Sequence, residues 1–173
     1  WQPSVLRLFV RAVADPAALL AAQDVVWVSG GNTASALAVW RVHGVDAALR
    51  AAHAAGVVLA GSSAGFLCWF EACVTDSFQL ETSAPLADGL GLLPGSACPH
   101  YDSEPTRRPA YTRLVAEGFP AGVAATDGAA LVYRGRELAE VLALRPGAGA
   151  VRVELPAGAT AAVETPLPAR RLG

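Results

Sequence analysis

Short apolar runs alternate with segments of helical spacing through the first half of this chain. Val5–Val10 reads as a short strand. Asp15-Pro16 opens a helix running to Ala22, with Asp as N-cap and Pro at the first helical position. Asp24–Ser29 is an unbroken Val- and Trp-rich run, the pattern of a buried strand. Thr33–Val42 and Val45–Ala55 carry helical periodicity, interrupted at Gly44. Gly56–Ser62 is a further strand, and the spacing predicts a helix over Ala64–Cys73.

The pattern then breaks from Thr75 to Pro94, where Pro85, Gly89 and Gly91 punctuate loops and turns. Ser96–Tyr101 reads as a short extended piece and Pro105–Glu117 as a helix. Gly122–Thr126, Ala129–Tyr133 and Leu138–Leu144 are separated by Asp127-Gly128 and Arg134-Gly135, which predicts a small antiparallel meander. Val151–Leu155 adds a strand, and the Pro- and Arg-bearing tail reads as a surface strand or loose end. Strand–helix alternation in the first half implies an α/β fold with a mostly parallel sheet between helices, the meander being a C-terminal addition. In such sheets a site forms beyond the C-terminal ends of the strands.

Composition narrows the function classes. A chain of 173 residues, 53% apolar and 16% charged, suits one domain with a buried sheet. The net charge is −2, and the longest basic stretches are the pairs Arg107-Arg108 and Arg170-Arg171, too short for a nucleic-acid surface. No apolar run reaches the length of a membrane span, so neither nucleic acid nor membrane is expected as a partner. Cys68, Cys73 and Cys98 lack C-x-x-C spacing and read as reduced thiols of a cytoplasmic protein. The histidines are not spaced as metal ligands and no dinucleotide fingerprint is present, so no cofactor or metal is expected.

The richest chemical signal is Gly61-Ser62-Ser63-Ala64-Gly65, set between a strand and a helix. Strand, G-x-S-x-G, helix is the sequence form of a nucleophile elbow. Small residues let the backbone pass through a tight turn, and the central Ser63 projects its hydroxyl from the strand end. The amide of Ala64, at the helix start, is placed to stabilise an oxyanion. A second strand end, Ser29-Gly30-Gly31-Asn32-Thr33, reads equally well as the other half of an oxyanion hole or as a plain turn capped by Asn32 or Thr33.

A serine nucleophile needs a base. His43 sits beside Gly44 at a helix end and His53 lies in an Ala-rich helix, whereas His100 lies in the loop Cys98-Pro99-His100-Tyr101-Asp102, where functional histidines concentrate. The acid that would orient it could be Asp76, Asp88, Asp102, Glu104 or Asp127. Asp127, at a strand end in Thr126-Asp127-Gly128, is the best placed, although Asp-Gly is equally a hairpin signal. An α/β-hydrolase esterase would share the elbow but draw its acid from Asp76 or Asp88, and a non-catalytic module could keep the turn alone.

Four motifs in order, Ser29-Gly30-Gly31-Asn32-Thr33, the Ser63 elbow, Val74-Thr75-Asp76-Ser77-Phe78 and Pro99-His100-Tyr101, resemble the peptidase E family of serine peptidases, the aspartyl dipeptidases related to cyanophycinase. The resemblance runs from about Asp24 to Glu154. It implies a fold similar to class I glutamine amidotransferases, with serine where those enzymes carry cysteine. It also implies Ser63 as nucleophile, His100 as general base, and the Gly31 and Ala64 amides as oxyanion hole. The family's acid is a glutamate in a Pro-Glu-Gly turn; here the matching position is Asp127, a shorter side chain that requires the backbone to sit closer. The resemblance further implies a short peptide substrate with an N-terminal aspartate, read by an arginine after the histidine. Arg107 is favoured over Arg108 for that role, on a shorter spacing than the family's, with Asn32 beside the substrate. In the family two strands with their helices precede the region matching Val5–Val10. This chain begins at Trp1 and contains no methionine, so an upstream segment outside this sequence, or pairing with a partner or second copy, is the expectation.

Overall fold

A computed structural model describes residues 2–10, 13–79 and 82–173. The helices are α1 (Pro16–Ala21), α2 (Thr33–His43), α3 (Val45–Ala54), α4 (Ala64–Leu67) and α5 (Arg107–Ala116). The strands in the first two thirds of the chain are β1 (Val25–Val28), β2 (Val58–Gly61), β3 (Phe70–Thr75), β4 (Ala84–Leu86), β5 (Leu93–Cys98) and β6 (Gly122–Ala125). The remainder are β7 (Ala129–Arg134), β8 (Glu137–Ala143), β9 (Ala150–Glu154), β10 (Val163–Leu167) and β11 (Ala169–Arg171).

Local chemistry sets the early helices. Asp15 caps α1, accepting the Ala18 N–H at 3.0 Å, and Pro16 occupies the first turn, where its missing N–H costs nothing. Gly44 ends α2 in the left-handed conformation, φ 67°, and so splits what would otherwise be one helix into α2 and α3. No helix among the described residues is long and apolar enough to cross a membrane.

The strands form three sheets among the described residues. β1 and β2 pair in parallel; β10-β9-β6-β5-β3-β4 form a six-stranded sheet; β11-β8-β7 form a third. Parallel pairing joins β3 to β5 and β5 to β6, while β4, β9 and β10 join antiparallel. The fold is α/β with mixed sheets, parallel where the strands lead to the Ser63 and His100 loops and antiparallel toward both edges of the large sheet.

Three expectations are corrected. The helix over Ala64–Cys73 stops at Leu67, and Phe70–Thr75 is a strand buried on both faces. Phe66 and Phe70 have helical spacing, yet an apolar run this short fits either element, and pairing with β4 and β5 decides it. Val5–Val10 forms no strand: among the described residues no neighbour pairs with it, and Val5, Phe9 and Val10 are exposed. The three-strand meander is only a β7–β8 hairpin, extended by β11 in parallel. β6 lies instead in the large sheet, so close to β5 that a Cβ on Gly122 would meet the Ser96 carbonyl oxygen at 1.9 Å. Thr126-Asp127-Gly128 is therefore the crossing from one sheet to another and not a hairpin turn.

Two apolar clusters hold these layers. Leu37, Leu49, Leu67 and Phe70 centre the first, between α2, α3 and the elbow. Val74, Tyr111, Val115 and Val153 centre the second, between α5 and the large sheet. Tyr111 is fully buried with its hydroxyl satisfied by Ser96 Oγ at 2.7 Å, as a buried phenol requires. The three cysteines are free and buried, and burial pushes the Cys73 and Cys98 thiols up to about 12, which keeps them protonated and unreactive.

Candidate active site

The elbow is dictated by crowding. β2 ends against β1, and the Val28 carbonyl accepts the Ser62 N–H at 3.1 Å. A Cβ on Gly65 would lie 2.0 Å from that carbonyl oxygen, and one on Gly61 would lie 2.4 Å from the Gly65 carbonyl oxygen. Both outer positions of G-x-S-x-G must therefore be glycine. Between them Ser63 adopts φ 54°, ψ −115°, a conformation that L-residues avoid. Such strain costs on the order of 1–3 kcal/mol and persists only where surrounding structure imposes it.

The turn after β1 stands against this serine. A Cβ on Gly30 would sit 3.3 Å from Ser63 Cβ and 3.7 Å from its Oγ. Among the described residues, the N–H groups of Gly31 and Ala64 have no intramolecular acceptor. Asn32 does not face the site. Its Oδ1 caps α2 through the Ser35 N–H at 2.8 Å, and its Nδ2 donates to the Ser77 carbonyl at 2.8 Å. Ser77 Oγ also accepts the Ala34 N–H at 3.2 Å. The expected substrate contact from Asn32 is thus corrected to a helix cap that ties the Gly30-Gly31 turn to the loop after β3.

His100 follows β5 and, like Ser63, has φ 54°. Its carbonyl accepts the Glu104 N–H at 3.0 Å, curling the loop so that the imidazole points back toward the elbow. Nε2 lies 3.0 Å from Ser63 Oγ and Nδ1 lies 2.7 Å from Asp127 Oδ1. An ionised carboxylate only accepts, so the proton sits on Nδ1 and Nε2 is left free to accept from the serine hydroxyl. Hydrogen bonds from Ser103 and then His100 hold the Asp127 carboxyl below its ordinary value, so it is ionised at neutral pH. Of the other acids, Asp88 pairs with Arg41 at 2.9 Å, Asp76 faces Arg107, and Glu104 pairs with Arg107 at 2.6 Å.

Neither arginine reaches the serine. Arg107 is 2% exposed. Its Nε donates to Glu104 Oε2 at 2.6 Å and Nη1 to the Val74 carbonyl at 2.8 Å, while Nη2 lies 3.4 Å from Asp76 Oδ1. The expected carboxylate reader is therefore an internally paired residue joining α5 to β3, a correction to the sequence reading. Arg108 is exposed, paired with Glu164 and lying over the Tyr101 ring. Sequence reasoning missed Glu164, in the tail, as the shared partner of Arg108 and Tyr101. It also missed that Asp102, weighed as an acid for His100, grips the Asp127 backbone instead.

Ser63, His100 and Asp127 open on a cavity of about 630 Å³ whose walls include Trp27, Phe66, Phe70, Leu131 and Tyr133. No arginine or lysine lines it among the described residues. The arrangement can deprotonate a hydroxyl and hold it against a carbonyl carbon, with free amides on the far side.

Residues 1–141 match the model of peptidase family S51. Over 172 residues the chain is 45% identical to an uncharacterized peptidase, YgaJ, of Bacillus subtilis, an alignment covering 99% of this chain and 73% of that protein. A family match across most of the chain, beside a relative of that identity along nearly all of it, leaves one conclusion: this chain belongs to peptidase family S51 and is a serine-type peptidase.

Proposed function

We propose that Ser63, His100 and Asp127 form the catalytic triad of a peptidase that cleaves short peptides through an acyl-enzyme. His100 Nε2 takes the hydroxyl proton as Ser63 Oγ attacks the scissile carbonyl carbon. Asp127 stabilises the imidazolium that results. The Gly31 and Ala64 amides donate to the oxyanion of the tetrahedral intermediate. Collapse of the intermediate breaks the C–N bond as His100 protonates the leaving amine. A water, deprotonated by His100, then attacks the ester carbonyl, and His100 returns that proton to Ser63 Oγ as the C–O bond breaks and the acid is released. The observation that carries this reading is the unbroken hydrogen-bonded chain Asp127–His100–Ser63 at a strained elbow.

The resemblance to the aspartyl dipeptidases extends the reading to dipeptides with an N-terminal aspartate and to a fold akin to class I glutamine amidotransferases. Three unpaired thiols fit a reducing compartment, the cytoplasm. The test is labelling by a fluorophosphonate probe together with hydrolysis of Asp-Leu and Ala-Leu. Wild type should be labelled and hydrolyse at least one of them, and Ser63→Ala should do neither. Labelling of Ser63→Ala equal to wild type would end the proposal.

A further inference from the structure

The loop that carries His100 also grips the residue that orients it. Asp102, two residues beyond His100, turns its carboxylate onto the 125–128 turn. Its Oδ1 accepts the backbone N–H of Asp127 at 2.8 Å, and its Oδ2 accepts from Arg145 Nη2 at 3.0 Å. Arg145 Nε in turn donates to the Asp127 carbonyl at 2.9 Å. The Asp127 residue is thus held at both its N–H and its C=O by one ion pair drawn from two other segments, the His100 loop and the stretch after β8. Gly128 completes the clamp: its φ is 81°, and a Cβ there would lie 2.9 Å from Arg145 Cγ. The Tyr101 N–H donates to the Ala125 carbonyl at 3.1 Å and adds a parallel stitch between the same two loops.

We infer that Asp102 and Arg145 are positioning residues for the reaction, fixing the Asp127 backbone so that its carboxylate meets His100. An aspartate has only two side-chain torsions, so where its oxygens lie is set mainly by its backbone. A loop crossing between sheets is not fixed by strand pairing, and the clamp supplies that fixity. Charge-assisted bonds to backbone groups are the stronger class, and here they hold the residue on both sides. Among the described residues Asp102 makes no hydrogen bond to His100 Nδ1 or Ser63 Oγ; its bonds run to Asp127 and to Arg145, which itself holds Asp127. This inference rests on the triad reading above.

The experiment measures the second-order rate of fluorophosphonate labelling, and kcat and KM on a hydrolysed dipeptide, for wild type, Asp102→Ala, Asp127→Ala and the double variant. Ser63→Ala serves as control and thermal unfolding reports folding. Asp102→Ala should slow labelling and kcat by roughly 10–100-fold, the size expected from misplacing a catalytic group by about 1 Å, with KM little changed. In the Asp127→Ala background the same substitution should cost less than twofold, because the group it positions is gone. Asp102→Asn keeps an acceptor for the Asp127 N–H and should recover part of the rate. If Asp102→Ala does not fold, Asp102→Asn and Arg145→Ala are used in the same cycle. Labelling within twofold of wild type for the single variants overturns the inference, and so does an equal loss in both backgrounds, the mark of a merely structural ion pair. Labelling of the Ser63→Ala control strikes instead at the triad reading, which separates the two failures.

Discussion

Ser63 and His100 are joined by a hydrogen bond of 3.0 Å, and they are the two non-glycine residues with positive φ among the described residues. The two sites of backbone strain thus meet at one bond. Folding must impose both conformations, which is how a protein keeps a hydroxyl and an imidazole aimed at each other before substrate arrives. The strain predicts a stability cost separable from activity. Ser63→Ala keeps a Cβ at φ 54°, whereas Ser63→Gly removes it. Both variants should lose at least about 10⁴-fold in turnover. Ser63→Gly should be the more stable of the two by roughly 1 kcal/mol, after the entropy of glycine in the unfolded chain is set against the relief. Urea denaturation of the two variants checks this, and a more stable Ser63→Ala would contradict it.

The elbow glycines carry the opposite prediction. Gly65→Ala would place a methyl 2.0 Å from the Val28 carbonyl oxygen, a contact with backbone that no rotamer relieves. The start of α4 would have to move off the end of β1, which costs about 1–3 kcal/mol or more. The variant should unfold at lower temperature than wild type and lose fluorophosphonate labelling. Gly31→Ala, where no atom lies within 4 Å of the added Cβ, meets only the cost of its φ of 145°. It should be the milder of the two in thermal unfolding.

How much of this was legible in the sequence depends on whether the signal is local. The elbow was, because crowding at a strand-to-helix turn selects glycine at fixed offsets, and both Gly61 and Gly65 prove sterically required. The Asp15 cap and the Gly44 break were legible for the same reason. β3 was not, because Phe70–Thr75 is held by partners on both sides and its apolar run has no period of its own. Asp127-Gly128 misled as a hairpin, since the pairing of β6 with β5 and β9, remote in sequence, decides where that turn leads. Arg107 is a different case: the family resemblance suggested a substrate contact, and only the packing of α5 on β3 shows Glu104, Asp76 and the Val74 carbonyl gathered around it.

Acid should act on the Asp127–His100 pair in a definite direction. The folded-state pKa of Asp127 lies below its ordinary value of 3.8, chiefly through Ser103 and then His100. A depressed carboxyl contributes stability that is fully present above the unfolded value and is lost as pH falls through the folded one. The carboxyl's contribution to the stability difference between wild type and Asp127→Asn should therefore shrink as pH falls below about 4. Asp127 is partly exposed, so salt should reduce the difference. Paired urea titrations at pH 5 and 3 measure it, and a difference that grows between those two values would reverse the assignment.

Arg107 distinguishes a substrate reader from a structural ion. The side chain is 2% exposed and makes bonds with Glu104 and Val74, with Asp76 close by. Removing one member of a buried ion pair leaves its partners uncompensated and destabilises by about 3–5 kcal/mol. Glu104 and Asp76 are themselves part-exposed, which places the expected loss toward the lower end of that range. Arg107→Ala should accordingly shift the urea midpoint strongly. The ratio of kcat/KM on Asp-Leu to that on Ala-Leu, measured on folded protein, should remain within about threefold of wild type, since a group that never meets substrate cannot discriminate between substrates. Arg107→Lys should restore little of the stability, because one ammonium cannot bridge Glu104, Asp76 and a carbonyl from a planar fork's positions. A selective loss on Asp-Leu of tenfold or more, with stability unchanged, would mean that Arg107 leaves Glu104 when substrate binds and reads its carboxylate after all.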